Sequence, residues 1–285
     1  MLNKQEKCIK FWLKNIDSEY DFWNQTAKKK KSSFLTQSYS IVDYNKNLLE
    51  TTDEIKVLDV GCGPRGALKD KYDLPKNIKV YSCDPLAFLY KNILEKNKIK
   101  TEKEIKFCLA EVLSFFYPDN FFDYIIIQNA LDHSINPQLA LEECMKILKK
   151  NGVLYLFHEE NEAKLRNYSG LHQWNFSLNE TGDFVISNKT TDININEIYK
   201  NNANVLSERI LTDENKSWIK SEITKTNDII TQVDNSITKI YLTSFMNFIQ
   251  EQIILSSKKS EQHCSLISKF AENIKKTFLY FNSQK

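Results

Sequence analysis

The chain has 285 residues, of which 41% are hydrophobic and 27% are charged, and its formal net charge is +2. This composition excludes a disordered or fibrous chain and is typical of a globular protein with one large domain, or one domain and an appendage. The 39 basic residues include only three arginines, Arg65, Arg166 and Arg209. A nearly neutral chain with few arginines is not expected to bind nucleic acid, because that function needs a concentrated basic face.

The first residues, Met1 to Lys14, mix lysine and glutamate with apolar residues and do not form a signal peptide. No uncharged apolar run in the sequence approaches the length of a membrane span. The six cysteines form no C-x-x-C pair and no metal-ligand spacing; they are Cys8, Cys62, Cys83, Cys108, Cys144 and Cys264. We therefore expect a cytoplasmic protein with reduced, mostly buried thiols.

Residues 1–50 are predicted to form an N-terminal helical cap. Ile9, Leu13, Ile16, Tyr20 and Trp23 recur at helical spacing. The lysine run at 28–31 is predicted to interrupt this helix and to be a solvated cluster.

Five short apolar runs separated by longer helix-like stretches dominate the next part of the chain. They cover residues 55–60, 78–83, 105–109, 124–128 and 153–157. Strands that alternate with helices in this way predict βαβ units and a parallel sheet. Since the crossovers are right-handed, the carboxyl ends of all these strands should meet at one edge, where ligands bind.

The rhythm changes after the fifth run. Residues 174–178 and 183–187 flank Asn179-Glu-Thr-Gly182 and predict a hairpin, and residues 205–211 and 217–224 predict two final strands, one of them antiparallel. We divide the chain into a main domain at 51–225, with a substrate-side insertion at 159–203, and a helical hairpin at 226–285. The two apolar stripes of this hairpin should pack on the domain or on a second copy in a homodimer.

A glycine-rich loop, Gly61-Cys-Gly-Pro-Arg-Gly66, directly follows the first predicted strand. Glycines at such a turn let the backbone bend sharply and approach a ligand closely. The G-x-G-x-x-G pattern alone also fits nicotinamide and flavin domains. Asp84, at the end of the second strand, can accept hydrogen bonds from both hydroxyls of a ribose. Asp59, under the loop, suits a ligand with an ammonium group better than one with a pyrophosphate.

With these residues the sequence resembles the class I S-adenosylmethionine (SAM) dependent methyltransferases. The resemblance is carried by V-L-D-V-G-C-G at 57–63, C-D-P at 83–85, L-A-E at 109–111, F-D-Y-I-I-I-Q-N-A-L-D-H at 122–133 and I-L-K-K-N-G-V-L-Y-L at 147–156. It implies an α/β fold with a Rossmann-like, seven-stranded, mostly parallel sheet that has one antiparallel strand, and SAM as cofactor. The segment Gly170-Leu-His-Gln-Trp-Asn-Phe176 further resembles a bacterial subfamily associated with the biosynthesis of surface glycans and small molecules.

The resemblance also implies roles by position. The methionyl end should be held by the glycine loop and Asp59, the ribose by Asp84, and the adenine by the residues after the second and third strands. The cofactor-binding residues so implied are Asp59, Gly61, Cys62, Gly63, Asp84, Pro85, Ala110, Glu111, Val112, Gln128 and Asn129.

Methyl transfer to a hydroxyl requires a base, and histidine suits this role because its pKa lies near neutrality. His133 follows the fourth strand, where the methyl group should lie, and the alternative is that it starts a helix and orients Asp132. His172 belongs to a segment that could close over the site, and the alternative is loop packing. His158 ends the fifth strand and is a further candidate. His263, in the predicted appendage, is treated as a surface residue.

Carboxylates follow the fifth strand as Glu159, Glu160 and Glu162. They could orient a histidine, bind sugar hydroxyls or bind a divalent metal. We predict no metal here, because carboxylates on loops are usually solvated. Glu160 is assigned a catalytic role beside the histidines. The flat aromatic side chains of Trp174, Tyr168 and Trp23 could support a sugar ring, with core packing as the equal alternative. The predicted substrate residues are Asp132, Glu159, Asn161, Tyr168, Gln173 and Trp174.

The sequence thus predicts a SAM-dependent methyltransferase that O-methylates a sugar, nucleotide-sugar or related small metabolite. One alternative keeps the chemistry and changes the acceptor to an amine, lipid, tRNA or protein. Another is a SAM-binding scaffold without catalysis that acts through residues 226–285. A nicotinamide oxidoreductase is disfavoured by Asp59 and by the later motifs.

Overall fold

The computed structural model describes residues 2–30, 53–66, 76–101, 104–212 and 215–228, together with Tyr241 and Thr243. The chain begins with one long helix, α1 (Leu2–Lys30). In the part of the chain described, no helix is both long and apolar enough to cross a membrane.

A seven-stranded sheet forms the centre of the fold. Its strands, in the spatial order β3-β2-β1-β4-β5-β10-β9, are β1 (Ile55–Val60), β2 (Ile78–Cys83), β3 (Ile105–Lys106), β4 (Phe122–Gln128), β5 (Leu148–Glu159), β9 (Ala203–Leu211) and β10 (Ser217–Lys225). β10 pairs antiparallel with both neighbours, and the other ladders are parallel. The predicted α/β fold, with one antiparallel strand in a seven-stranded sheet, is confirmed.

The sheet is covered on both faces, which explains the nearly continuous apolar runs of its central strands. In β4, Ile125 and Ile127 belong to the main core, while Tyr124 and Ile126 belong to a second cluster on the other face. The helices that follow the strands are α2 (Ala87–Lys96), α3 (Leu113–Phe116) and α4 (Pro137–Ile147).

α4 has a well-defined start. The side chain of Asn136 caps the helix by accepting a hydrogen bond from the Leu139 amide at 3.2 Å, and proline occupies the first helical position. This start matters for the site because it fixes the path of the chain between β4 and α4, where Asp132 and His133 lie.

The segment between β5 and β9 forms a small separate sheet, β6 (Asn175–Leu178), β7 (Phe184–Ser187) and β8 (Asp192–Asn194), with the short helices α5 (Glu162–Leu165) and α6 (Ile195–Tyr199). The predicted hairpin corresponds to the antiparallel pair β6 and β7. Phe176 and Phe184 are fully buried in the main core. The insertion is therefore anchored to the domain by its own apolar face.

The predicted N-terminal helix differs from the structure at its end. The lysine run does not interrupt the helix as far as Lys30, because α1 continues through Lys28 and Lys29. Lysine is a good helix former, and the side chains of Lys28 and Lys29 are exposed; Lys31 lies outside the described residues. The rest of the predicted cap and most of the predicted hairpin at 226–285 lie outside the described residues. Tyr241 is described: it is helical and fully buried in an apolar cluster with residues of α1 such as Ile9 and Leu13.

Candidate active site

A cavity of about 340 Å³ opens at the carboxyl ends of β1, β2 and β4. β1 and β4 are neighbours in the sheet although two strands lie between them in sequence order. The direction of the strand order therefore reverses here, and ligands of open α/β sheets bind at such a reversal. Most of the predicted cofactor residues line this cavity: Gly61, Cys62, Gly63, Asp84, Pro85, Ala110, Glu111, Gln128 and Asn129.

The glycine loop forms one wall of the cavity. Gly61 and Gly63 have φ values of +64° and +62°, a conformation that side chains disfavour. A Cβ atom on Gly61 would lie 2.5 Å from the Cβ atom of Ala130, which follows β4. Glycine is thus required at position 61 because the loop after β1 touches the chain that leaves β4.

Asp84 is buried at the end of β2, and its carboxylate fixes the loop. One oxygen accepts a hydrogen bond from the Gly63 amide at 3.0 Å and the other accepts one from the Leu86 amide at 2.7 Å. Burial raises the pKa of Asp84 to about 7, although both backbone hydrogen bonds favour the charged form. The carboxylate lines the cavity and retains lone pairs that a ligand hydroxyl can use.

SAM binding is expected to weaken as the pH falls through 7. In the role implied by the sequence resemblance, the carboxylate form of Asp84 would accept hydrogen bonds from a ribose, and protonation would remove this capacity. With a folded-state pKa of about 7, the affinity of the wild-type chain should fall about tenfold between pH 8 and pH 6. Calorimetric titration with SAM across this range measures the effect. The same titration of an Asp84→Ala variant is the control, and an equal pH dependence in both proteins would contradict the assignment.

The other predicted cofactor residues have mixed roles. Glu111 is buried, and its carboxylate accepts hydrogen bonds from the Ile135 and Asn136 amides at 2.7 and 3.1 Å, so it supports the start of α4 as well as lining the cavity. The side-chain oxygen of Asn129 accepts a hydrogen bond from the Glu159 amide. Asp59 and Val112 are buried and do not line the cavity.

A further wall of the cavity, next to the glycine loop, comes from α1, of which the sequence analysis considered only Trp23, as an aromatic face for the acceptor. Trp12, Glu19, Phe22 and Trp23 line the cavity. The Trp12 indole donates a hydrogen bond to the carbonyl oxygen of His133 at 2.7 Å, and the Trp23 indole donates one to Glu19 at 2.6 Å. Trp12, Glu19 and Trp23 are seven and four residues apart and so share one helix face. This spacing was the available signal, but it does not show what the face covers.

Two of the predicted catalytic histidines meet at one end of the cavity. His133 lines the cavity, and its Nε2 atom lies 3.0 Å from Nδ1 of His172. Oδ2 of the buried Asp132 lies 2.7 Å from the same His172 nitrogen and 3.3 Å from Nε2 of His133. Asp132, predicted as a substrate residue, is therefore the partner of both histidines.

Carboxylates set the charge of this cluster. Although burial opposes its ionisation, the two histidines lower the pKa of Asp132. Burial opposes the charge on His172, but the hydrogen bond and charge of Asp132 and the charge of Glu162 raise its pKa. Burial, reinforced by Asp132, raises the pKa of Glu162 to about 7. Glu19 lies 4.0 Å from Nδ1 of His133 on the cavity side. The cluster is thus biased towards binding positive charge.

His158 is not placed for the predicted catalytic role. It is fully buried at the end of β5 and does not line the cavity. Its ring stacks on Phe176 at 4.2 Å, and burial lowers its pKa to about 4. A neutral ring enclosed by the core cannot take a proton from a substrate in the cavity.

Glu160 is also placed away from the cavity, against its predicted catalytic role. Its carboxylate accepts hydrogen bonds from Arg209 at 2.8 and 2.7 Å and from the Ser217 hydroxyl at 2.6 Å. The Arg209 contact lowers its pKa. The partners lie on β9 and β10, so Glu160 ties the turn after β5 to the antiparallel edge of the sheet.

The predicted substrate residues after β5 mostly have structural partners. Asn161 adopts a positive φ of +57° and precedes α5. The Gln173 amide donates to the carbonyl oxygens of Tyr168 and Gly170, and the Trp174 indole donates to the carbonyl oxygen of Ser134. Glu159 pairs with Arg166 at 3.3 Å. These residues shape the segment that presents His172, and none of them lines the cavity.

Comparison with known proteins gives the family of the central domain. Residues 58–156 match the family model described as a methyltransferase domain. This segment runs from β1 to β5 and contains the glycine loop, Asp84, Asp132 and His133. This segment is therefore similar to a methyltransferase domain, and domains of this family use SAM as methyl donor.

The chain is also similar to individual proteins. It is 22% identical over 196 residues to phosphoethanolamine N-methyltransferase 2 of Caenorhabditis elegans, an alignment that covers 64% of this chain and 44% of that protein. The chain thus spans less than half the length of this curated relative. Among solved structures, a SAM-dependent methyltransferase from Methanosarcina mazei shares 18% identity with a TM-score of 0.39, covering 66% of this chain and 98% of that one. The CurJ carbon methyltransferase shares 13% identity with a TM-score of 0.44, covering 66% and 54%.

Proposed function

We propose that this chain, which carries a methyltransferase domain at residues 58–156, transfers the methyl group of SAM to a hydroxyl group of a sugar, nucleotide-sugar or related small metabolite. The observation that carries the proposal is the position of His133. It lines the cavity formed by the glycine loop and Asp84, and it is backed by Asp132 and His172.

The cavity fits the cofactor. Its volume of about 340 Å³ falls within the range of small-molecule sites. A side chain on Gly61 would collide with Ala130, so glycine at this position keeps the loop close to the chain that leaves β4 and shapes this wall of the cavity. Asp84 would accept hydrogen bonds from the ribose hydroxyls, and Ala110 and Pro85 would flank the adenine. When bound, SAM supplies an activated methyl carbon.

The acceptor would lie next to His133. The Nδ1 atom of this ring is on the side of Glu19, whereas Nε2 faces Asp132. A proton on Nε2, held towards Asp132, leaves Nδ1 free to take the proton of an acceptor hydroxyl. The buried carboxylate of Asp132 then stabilises the imidazolium that forms. The aromatic side chains of Trp23 and Phe22 line the same cavity.

A second candidate is an amine acceptor. Glu19, Asp132 and Glu162 surround the two histidines, and an excess of carboxylates can hold an ammonium group. The similar protein from Caenorhabditis elegans is named as an N-methyltransferase, which agrees with this candidate.

Incubation of the purified chain with SAM that carries a labelled methyl group tests both candidates. The acceptors offered are host-extract fractions of polysaccharide, nucleotide-sugars, amines, lipids, RNA and protein. We expect label in a sugar-containing fraction, and none with the Asp84→Ala variant. Label in the amine fraction alone would favour the second candidate. Absence of label in every fraction, with SAM binding intact, would contradict both candidates and favour a scaffold.

A further inference from the structure

Three lone-pair atoms converge on one point beside the cavity. They are Nε2 of His133, Nδ1 of His172 and Oδ2 of Asp132, and their separations are 3.0, 2.7 and 3.3 Å. Ligand atoms at about 2.0–2.2 Å from a metal ion lie about 3 Å from one another when they occupy adjacent octahedral positions. The spacing of the three atoms is therefore that of ligands on one face of a metal ion.

Hydrogen bonds among these three atoms do not satisfy all of them at once. His172 Nδ1 and Asp132 Oδ2 can share one proton, but His133 Nε2 faces the same point. If both ring nitrogens carried hydrogens, the two N–H groups would oppose each other at 3.0 Å. Without a proton, each of the three atoms can donate a lone pair to a cation.

The surrounding buried atoms are an independent observation that points to a cation. Asp132 is completely buried and Glu162 is 2% exposed. In the part of the chain described, Oδ1 of Asp132 and Oε2 of Glu162 have no hydrogen-bond partner. Oε1 of Glu162 lies 3.6 Å from Nδ1 of His172, close enough for a small movement to bring it into the same group. Buried carboxylate oxygens without partners are rare and often mark an ion or a water.

We propose that Asp132, His133 and His172 bind a divalent transition-metal ion, with Glu162 as a fourth or outer ligand. Two imidazole nitrogens and a carboxylate suit Zn²⁺ or Mn²⁺, whereas Mg²⁺ and Ca²⁺ prefer oxygen ligands throughout. Such a site departs from the sequence prediction of no metal. His172 lies 40 residues after Asp132 in the sequence. The ligands therefore do not form a short motif that sequence analysis can detect.

The ion would complete the acceptor end of the cavity. Three protein ligands leave coordination positions open, and His133 borders the cavity. In the metal-bound chain Nε2 of His133 would carry no proton, and the ion would polarise an acceptor oxygen that occupies one of these positions. This part of the inference rests on the proposed function, whereas binding of the ion itself does not.

Direct metal binding tests the proposal without acceptor or SAM. The full chain is stripped with a chelator and titrated with Mn²⁺, followed by the electron paramagnetic resonance of free Mn²⁺, and with Zn²⁺ or Mg²⁺ by calorimetry. We expect one Mn²⁺ or Zn²⁺ per chain and no measurable Mg²⁺ binding. His172→Ala should weaken binding at least about 100-fold, since even outer-shell changes cost 10–100-fold. Asp132→Asn should do the same.

His263→Ala is the matched control, because it removes a histidine that the site does not include. Thermal unfolding without metal and SAM titration show whether each variant is folded. The proposal is overturned if the folded wild-type chain binds neither ion. It is equally overturned if His172→Ala and Asp132→Asn leave binding unchanged, or if His263→Ala weakens it as much. A metal-binding chain that transfers no methyl group would contradict the proposed function and leave the metal site intact.

Discussion

Replacement of His133 and His172 together by alanine is expected to lower the rate of methyl transfer about 10²- to 10⁴-fold, the usual contribution of a positioned base. The dissociation constant of SAM should change little, because both side chains lie at the acceptor end of the cavity. His133→Ala alone should cost nearly as much as the double change, because the two rings form one cluster and their effects are not additive. His172→Ala alone should cost less, since His172 does not line the cavity.

Steady-state kinetics with the acceptor found in the labelling experiment measure this effect. His263→Ala is the control for loss of a histidine, and SAM binding shows that each variant retains the cofactor site. A double variant that keeps kcat within about threefold of wild type would show that the cluster does not carry the proton transfer.

Asp84→Ala is expected to weaken SAM binding at least about 100-fold. Two hydrogen bonds from ribose hydroxyls to a buried carboxylate are lost, and bonds to a charged group contribute about 1.5–3 kcal/mol each. The same change also removes the acceptor of the Gly63 and Leu86 amides. Loss of affinity alone therefore does not separate ribose recognition from loop support.

A ribose analogue separates the two effects. The wild-type chain should bind the 2′-deoxy form of S-adenosylhomocysteine about tenfold more weakly than S-adenosylhomocysteine, because one hydroxyl is missing. Asp84→Ala should bind the two compounds equally. The exposed Asp192→Asn is the control and should behave as wild type. If wild type does not distinguish the two compounds, Asp84 does not recognise the ribose.

The N-terminal helix gives the site a second side. The Trp12 contact with the His133 carbonyl joins α1 to the chain that leaves β4. Arg65 of the glycine loop lies 5.0 Å from the Trp23 ring. Buried Tyr241 packs into the same apolar cluster as α1. The helix, the glycine loop and Tyr241 therefore support one another next to the cavity.

Local sequence patterns determined much of the fold and of the cofactor side. The glycine loop, the strand before it and Asp84 act within a few residues of one another or at the ends of regular strands. The hydrophobic runs also fix which strands are buried, as in β4, where Ile125 and Ile126 point to opposite covered faces. These features follow from hydrophobic periodicity and from turn residues, and both can be recognised within a short stretch of sequence.

Long-range contacts decided the acceptor side. His158 and Glu160 are the two sequence neighbours of Glu159. The ring of His158 stacks on Phe176 in the core, whereas Glu160 pairs with Arg209, which is 49 residues away. His172 became a site residue because Asp132, 40 residues earlier, holds its ring. Successive side chains along a strand point to opposite faces of the sheet. Only the tertiary packing determines which of these faces borders the cavity.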